Sequence, residues 1–140
     1  EPTTGLDTTT QAAILDLIVG HARARRMATL LITHDLGLAR AYAERIVVMH
    51  AGQVVEAAAT PALFGAPRHP YAAALIAATP ARAATVDDLA GIPGGLPDRE
   101  TAPPCRFAGR CARVVARCRA ERPRLLDLGG GHDVACFVPR

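Results

Sequence analysis

The chain has 140 residues, half of them hydrophobic but only 4% aromatic, with a formal net charge of +3. That suffices for one modest domain with an aliphatic core, and no apolar run approaches the ~18–20 residues of a membrane span. All 16 basic residues are arginine, which excludes within this chain a phosphate loop of the Walker type, since that loop needs a lysine.

Glu1-Pro-Thr-Thr-Gly-Leu-Asp7 is a turn-rich loop bounded by two carboxylates. The spacing predicts a helix over 8–26, capped by Asp7 or Thr8, with Ile14, Leu17, Ile18 and Ala22 on its apolar stripe. Ala28–Thr33 is short, apolar and unalternating, as a strand buried on both faces of a parallel sheet would be. His34 and Asp35 follow at its carboxyl end, where sites of open α/β sheets collect, and Asp35 can cap a helix from Leu36 to about Ala43. Arg45–His50 and Gln53–Ala57 predict a hairpin closed by Ala51-Gly52. Thr60-Pro61 signals a brief helix ending near Gly65, and a second short helix is expected from Tyr71 to Ala78. Residues 79–104 hold five prolines and are expected to form a broken connector and a domain boundary.

Residues 105–140 carry 8 arginines against 3 acids, whereas residues 1–104 carry 8 against 10. A basic tail can meet nucleic acid or an anionic membrane, but no aromatic platform or motif supports a nucleic-acid site, and none is expected. The four cysteines are spaced C-x5-C-x6-C-x17-C. Four thiolates can enclose a [4Fe–4S] cluster or zinc, or remain free or disulfide-paired. The missing C-x2-4-C pairs favour the cluster over zinc, and nearby arginines would favour thiolate. His132 is a candidate second-sphere donor to such a site.

Glu1-Pro-Thr-Thr-Gly-Leu-Asp7 with Thr33-His34-Asp35 resembles the hydrolytic corner of the ATP-binding cassette (ABC) ATPases. Val48-Met49-His50-Ala51-Gly52-Gln53-Val54-Val55-Glu56 is similar to the hairpin that follows that histidine in the family. His69-Pro70-Tyr71 with Leu75, then Cys105, Phe107, Arg110, Cys111, Cys118, Pro123, Leu125, His132 and Cys136, resemble the end of oligopeptide, dipeptide and nickel importer ATPases. Three departures are Ala72 for threonine, Pro104 for glycine and Ala112 for proline.

The resemblance implies an α/β fold: residues 1–78 as the C-terminal part of a P-loop ATPase domain, 79–104 as linker, and 105–140 as a small irregular cysteine-rich extension. It implies that Glu1 polarises the attacking water, that His34 contacts the γ-phosphate, and that Asp7 lies in the loop facing a second ATPase subunit. ATP and Mg2+ would act in the complete subunit, and Cys105, Cys111, Cys118 and Cys136 would be ligands of a [4Fe–4S] cluster. Partners would be a second cassette subunit, membrane permease subunits and an external solute-binding protein, with the subunit peripheral on the cytoplasmic face. The glycine-rich loop, glutamine loop and signature motif have no counterpart here, so the chain is expected to be a piece of such a subunit, inactive alone. The competing expectation is an iron–sulfur or zinc redox module on a remnant ATPase scaffold.

Overall fold

The computed structural model describes residues 5–79, 91–98 and 101–140. Glu1 and part of the connector, including Pro80, Asp87, Asp88, Arg99 and Glu100, lie outside them. The chain forms two compact units, Glu1–Ala43 and Glu44–Arg140. The division between them falls at Ala43.

In the first unit, helix α1 spans Thr8–Ala24. It stops two residues earlier than its pattern suggests, because Arg26 turns left-handed (φ 53°) and the Met27 N–H closes back on the Ala22 carbonyl at 2.8 Å. Its buried face also differs from the expected stripe. Leu15 is 3% exposed, while Leu17 and Ile18 face outward at 63% and 38%. Both sides of this helix are apolar, so periodicity could not say which one this unit buries. Helix α2, Leu36–Tyr42, is held to α1 by the Tyr42 hydroxyl, which donates to the Ala12 carbonyl at 3.3 Å.

Residues 28–33 do not form the expected strand. Leu30 and Ile32 are 85% and 73% exposed. A parallel strand needs neighbours on its edges and layers on both faces, and no strand of the first unit's described residues lies beside it.

The second unit is built on the hairpin β1 (Arg45–His50) and β2 (Gln53–Ala59). Ala51 and Gly52 both take positive φ, 47° and 78°, as a two-residue I′ turn requires. The register slips between Val48 and Met49, so that Val55 bulges from β2. Helix α3 (Thr60–Gly65) buries Leu63 completely, and α4 (Pro70–Ala77) buries Ala72, Ala73 and Ile76. Thr60 is the first helical residue, and Ala59 takes the cap position with no side-chain bond.

The cysteine-bearing segment contributes a 3-10 turn at Ala108–Arg110, helix α5 (Ala116–Ala120), and strands β3 (Leu126–Asp127) and β4 (Asp133–Val134). The sheet order is β1-β2-β4-β3, all antiparallel. Residues 105–140 are therefore no appendage. β4 extends the hairpin's sheet, the Ala135 N–H reaches the carbonyl of the Val55 bulge at 2.9 Å, and Arg45 binds Asp133 at 2.6 Å. The β3–β4 connection needs three consecutive left-handed residues, supplied by Gly129, Gly130 and Gly131 with φ of 103°, 66° and 71°.

Candidate functional site

The sequence-expected site residues fall in different places. Glu1 lies outside the described residues. Asp7 is the N-cap of α1: its Oδ1 accepts from the Thr9 and Thr10 amides at 3.0 Å each, and its Oδ2 from the Thr10 hydroxyl at 2.7 Å. These donors hold its carboxyl below the usual value, the Thr10 amide and hydroxyl most strongly, so the side chain is a fixed anion.

His34 sits in a turn braced from both flanks. The Asp35 amide donates to Thr33 Oγ1 at 3.0 Å, and Asp35 Oδ1 caps α2 through the Gly37 and Leu38 amides at 2.7 and 3.1 Å. The backbone of Thr33-His34-Asp35 is thereby set, and the imidazole is exposed. An exposed imidazole on a braced turn can donate a hydrogen bond to an anionic ligand.

The second unit holds a buried polar node that sequence reading treated as separate pieces. Glu56 is fully buried, and its carboxylate accepts from the Arg68 amide (2.8 Å), the His69 amide (2.7 Å) and His132 Nε2 (2.6 Å). His132 is thus a partner of Glu56 rather than a donor beside a metal. His69 in turn caps α4, its Nδ1 accepting the Tyr71 amide at 3.0 Å. Burial, and next the neighbouring His50, bring its pKa down to about 4, so it stands neutral and able to accept. Pro70 opens the helix where no N–H is needed.

Tyr71 then packs its ring on His50 at 4.4 Å and on Phe107 at 5.3 Å. His-Pro-Tyr is therefore a cap, a helix start and an aromatic anchor. His50 is 2% exposed, and neither ring nitrogen has a hydrogen-bond partner among the described residues. Burial and then the Arg110 charge lower its pKa, partly opposed by the Arg106 backbone, which stops short of hydrogen-bond geometry. A cavity of about 10 Å³ beside it, shared with His69 and Cys105, has room for about one water. The matched histidines at 69 and 132 and the Glu56 that ends the matched hairpin motif were separate sequence signals; nothing in the pattern joined them.

The four cysteines are free thiols, Cys118 buried and Cys105, Cys111 and Cys136 half-buried. They are close enough to feel one another. Burial raises the pKa of Cys105 and Cys136, and the neighbouring thiols add to the rise. Yet among the described residues no three His, Cys, Asp or Glu side chains are grouped to hold a metal ion. The expected ligand set is therefore not assembled as a metal site.

No arginine lowers the pKa of Cys105 or Cys136, and four of those nearest in sequence to the cysteines are bonded elsewhere. Arg106 binds the Ala51 carbonyl, Arg110 the Ile92 and Pro93 carbonyls at 2.8 and 2.6 Å, and Arg113 the Pro139 carbonyl at 3.2 Å. Arg117 pairs with Glu121 at 3.0 Å and lies over the Phe137 ring at 4.3 Å. With burial dominant and no cation engaged, the thiols of Cys105 and Cys136 stay protonated.

Comparison with known proteins joins these observations. Residues 55–118, which span the bulge, the His-Pro-Tyr cap and the first three cysteines, match the family model described as oligopeptide/dipeptide transporter, C-terminal region. The dipeptide transport ATP-binding protein DppD of Escherichia coli is 45% identical over 140 residues, 99% of this chain and 43% of that protein. The oligopeptide transport ATP-binding protein AppD of Bacillus subtilis is 42% identical over 139 residues, 99% of this chain and 42% of its own. A probable peptide ABC transporter ATP-binding protein, y4tR of Sinorhizobium fredii, matches at 42% over 98% of this chain and 42% of its length. The chain thus spans less than half the length of these relatives. Its matched C-terminal region and its identity to them along nearly all its residues make the chain similar to part of the oligopeptide and dipeptide ABC ATP-binding proteins.

Proposed function

We propose that these residues serve in the ATP-binding subunit of an ABC importer of peptides, coupling ATP hydrolysis to uptake. The observation that carries this reading is the braced Thr33-His34-Asp35 turn, which presents an exposed imidazole after an apolar segment. Phosphoryl transfer is largely positioning and charge stabilisation. In this role His34 donates to a γ-phosphate oxygen, Glu1 orients the attacking water, and the capped anion of Asp7 faces a second ATPase subunit. The chain has no lysine loop for the phosphates, so those contacts, and the groups that hold Mg2+, come from outside these 140 residues.

The second unit then serves as a rigid C-terminal body, locked by Glu56, His69 and His132. No helix among the described residues is long and apolar enough to cross a membrane. Attachment to the cytoplasmic face would run through permease subunits, with a solute-binding protein delivering the peptide outside. A [4Fe–4S] cluster or zinc on the cysteines is no part of this reading, because the thiols are not grouped as a ligand set.

The test places His34→Ala in the full-length subunit assembled with its permease. ATP turnover is expected to fall by about 100-fold, with nucleotide binding retained. Unchanged turnover would remove His34 from the reaction and the reading with it.

A further inference from the structure

The second unit carries an open groove of about 520 Å³, within the range of roughly 300–1,000 Å³ found for ligand pockets. Met49, Val54 and Leu125 give it apolar walls, and Arg122 and Arg124 stand on either side of Pro123 at its edge. Met49 and Leu125 are 56% and 44% exposed, which is unusual for large apolar side chains lining a concave surface.

Among the described residues, no acid pairs with either arginine. The three acids of residues 105–140 are all engaged: Glu121 by Arg117, Asp133 by Arg45, and Asp127 by the Gly129 amide at 2.8 Å. Arg122 and Arg124 are exposed, and no hydrogen bond or ion pair joins either to another described residue.

We propose that this groove takes a short acidic and aliphatic segment of a partner polypeptide. Its carboxylates pair with Arg122 and Arg124, and its aliphatic side chains lie on Met49, Val54 and Leu125. Paired guanidinium groups favour carboxylate, and the apolar walls favour aliphatic neighbours over water. A second copy of this chain is disfavoured, since residues 105–140 would set one arginine excess against another. Single-stranded nucleic acid is disfavoured because the lining has no aromatic ring on which a base could stack. A bilayer is too flat to enter a concave site. The inference does not depend on the ATPase reading, because every residue involved lies between 49 and 135.

The probe is a blocked hexapeptide of alternating leucine and glutamate, titrated into the 140-residue chain and followed by amide and methyl NMR shifts. Saturable shifts at Met49, Val54 and Leu125 are expected at about 1 mM or below. Arg122→Glu with Arg124→Glu is expected to weaken binding by about tenfold or more, and raising salt from about 0.05 to 0.5 M to weaken it several-fold. Met49→Asp should weaken it as well, whereas Leu17→Ser, in the first unit, should not. All four positions are exposed, and an unchanged amide spectrum confirms that each variant folds. The proposal is overturned by an absence of saturable shifts, by equal binding of the leucine–lysine analogue, or by groove shifts caused by self-association, an oligouridylate or anionic vesicles in place of the peptide.

Discussion

The carboxylate of Glu56 and the imidazole of His132 meet at 2.6 Å although 76 residues separate them in the chain. The carboxylate is fully buried, and it also accepts the Arg68 and His69 amides. One group therefore ties β2, the entry to α4 and the β3–β4 turn.

Removing either partner should cost unequally. Glu56→Ala leaves buried amides and an imidazole without an acceptor, and is expected to lower unfolding stability by about 3–5 kcal/mol. His132→Ala leaves the carboxylate two amide donors and should cost about 1–3 kcal/mol. Urea denaturation of the two variants checks the order; a His132 variant less stable than the Glu56 variant would contradict it.

His69 gives the stability a defined acid limb. Its pKa is lowered from 6.5 to about 4 by burial and next by the neighbouring His50, which keeps Nδ1 free to accept the Tyr71 amide. The unfolded chain thus binds the proton first. The stabilisation is fully present above about pH 6.5, falls as pH drops toward 4, and is gone below the folded pKa. The loss amounts to about 3 kcal/mol at most. His69→Asn keeps a cap acceptor without titrating, so the slope of stability between those pH values should fall by the His69 share, leaving that of buried His50.

The hairpin turn carries a correctable strain. Ala51 has φ 47°, a region that costs a residue with a Cβ about 1 kcal/mol. Ala51→Asn creates the Asn-Gly pair that a I′ turn favours, and should gain about 0.5–1 kcal/mol. Gly52→Ala should instead destabilise the hairpin, since φ is 78° and the new Cβ would stand 3.2 Å from Arg106 Nη1. A rise in thermal midpoint for the first and a fall for the second is the expected pair of results.

Asp7 should govern the start of α1. Asp7→Ala removes the acceptor of two amides and a hydroxyl, and hydrogen exchange at Thr9 and Thr10 is expected to quicken. Asp7→Asn should restore most of the protection. In the wild type the protection should hold above the ordinary carboxylate value of 3.8 and fade as pH drops through the lowered value.

The thiols should be sluggish. With burial raising Cys105 and Cys136, and Cys118 only 4% exposed, alkylation of these three near neutral pH is expected to be roughly tenfold slower than that of a free thiol. Mass spectrometry of partially labelled protein reads each site. Rates at the free-thiol level would show that the cluster is open and ionised.

By itself the sequence determined the elements whose cause is local. Turn chemistry at Ala51-Gly52 set the hairpin, Asp7 and Asp35 set the helix starts, and Pro70 set the start of α4, because each acts on residues at most four away. The sequence also carried the family resemblance, through ordered motifs from Thr33-His34-Asp35 to Cys136.

Only the tertiary structure decided what depends on distant groups. Residues 28–33 match a buried strand in pattern, yet pattern cannot provide the neighbouring strands that such burial requires. The cysteines match a ligand set in number, yet burial raises the pKa of Cys105 and Cys136, and among the described residues no three ligand side chains are grouped to hold a metal ion. Glu56, His69 and His132 looked like a hairpin residue, a loop residue and a spare donor. They act together because the bulge at Val55 and the pairing of β4 with β2 close a long loop, and no local rule encodes that closure.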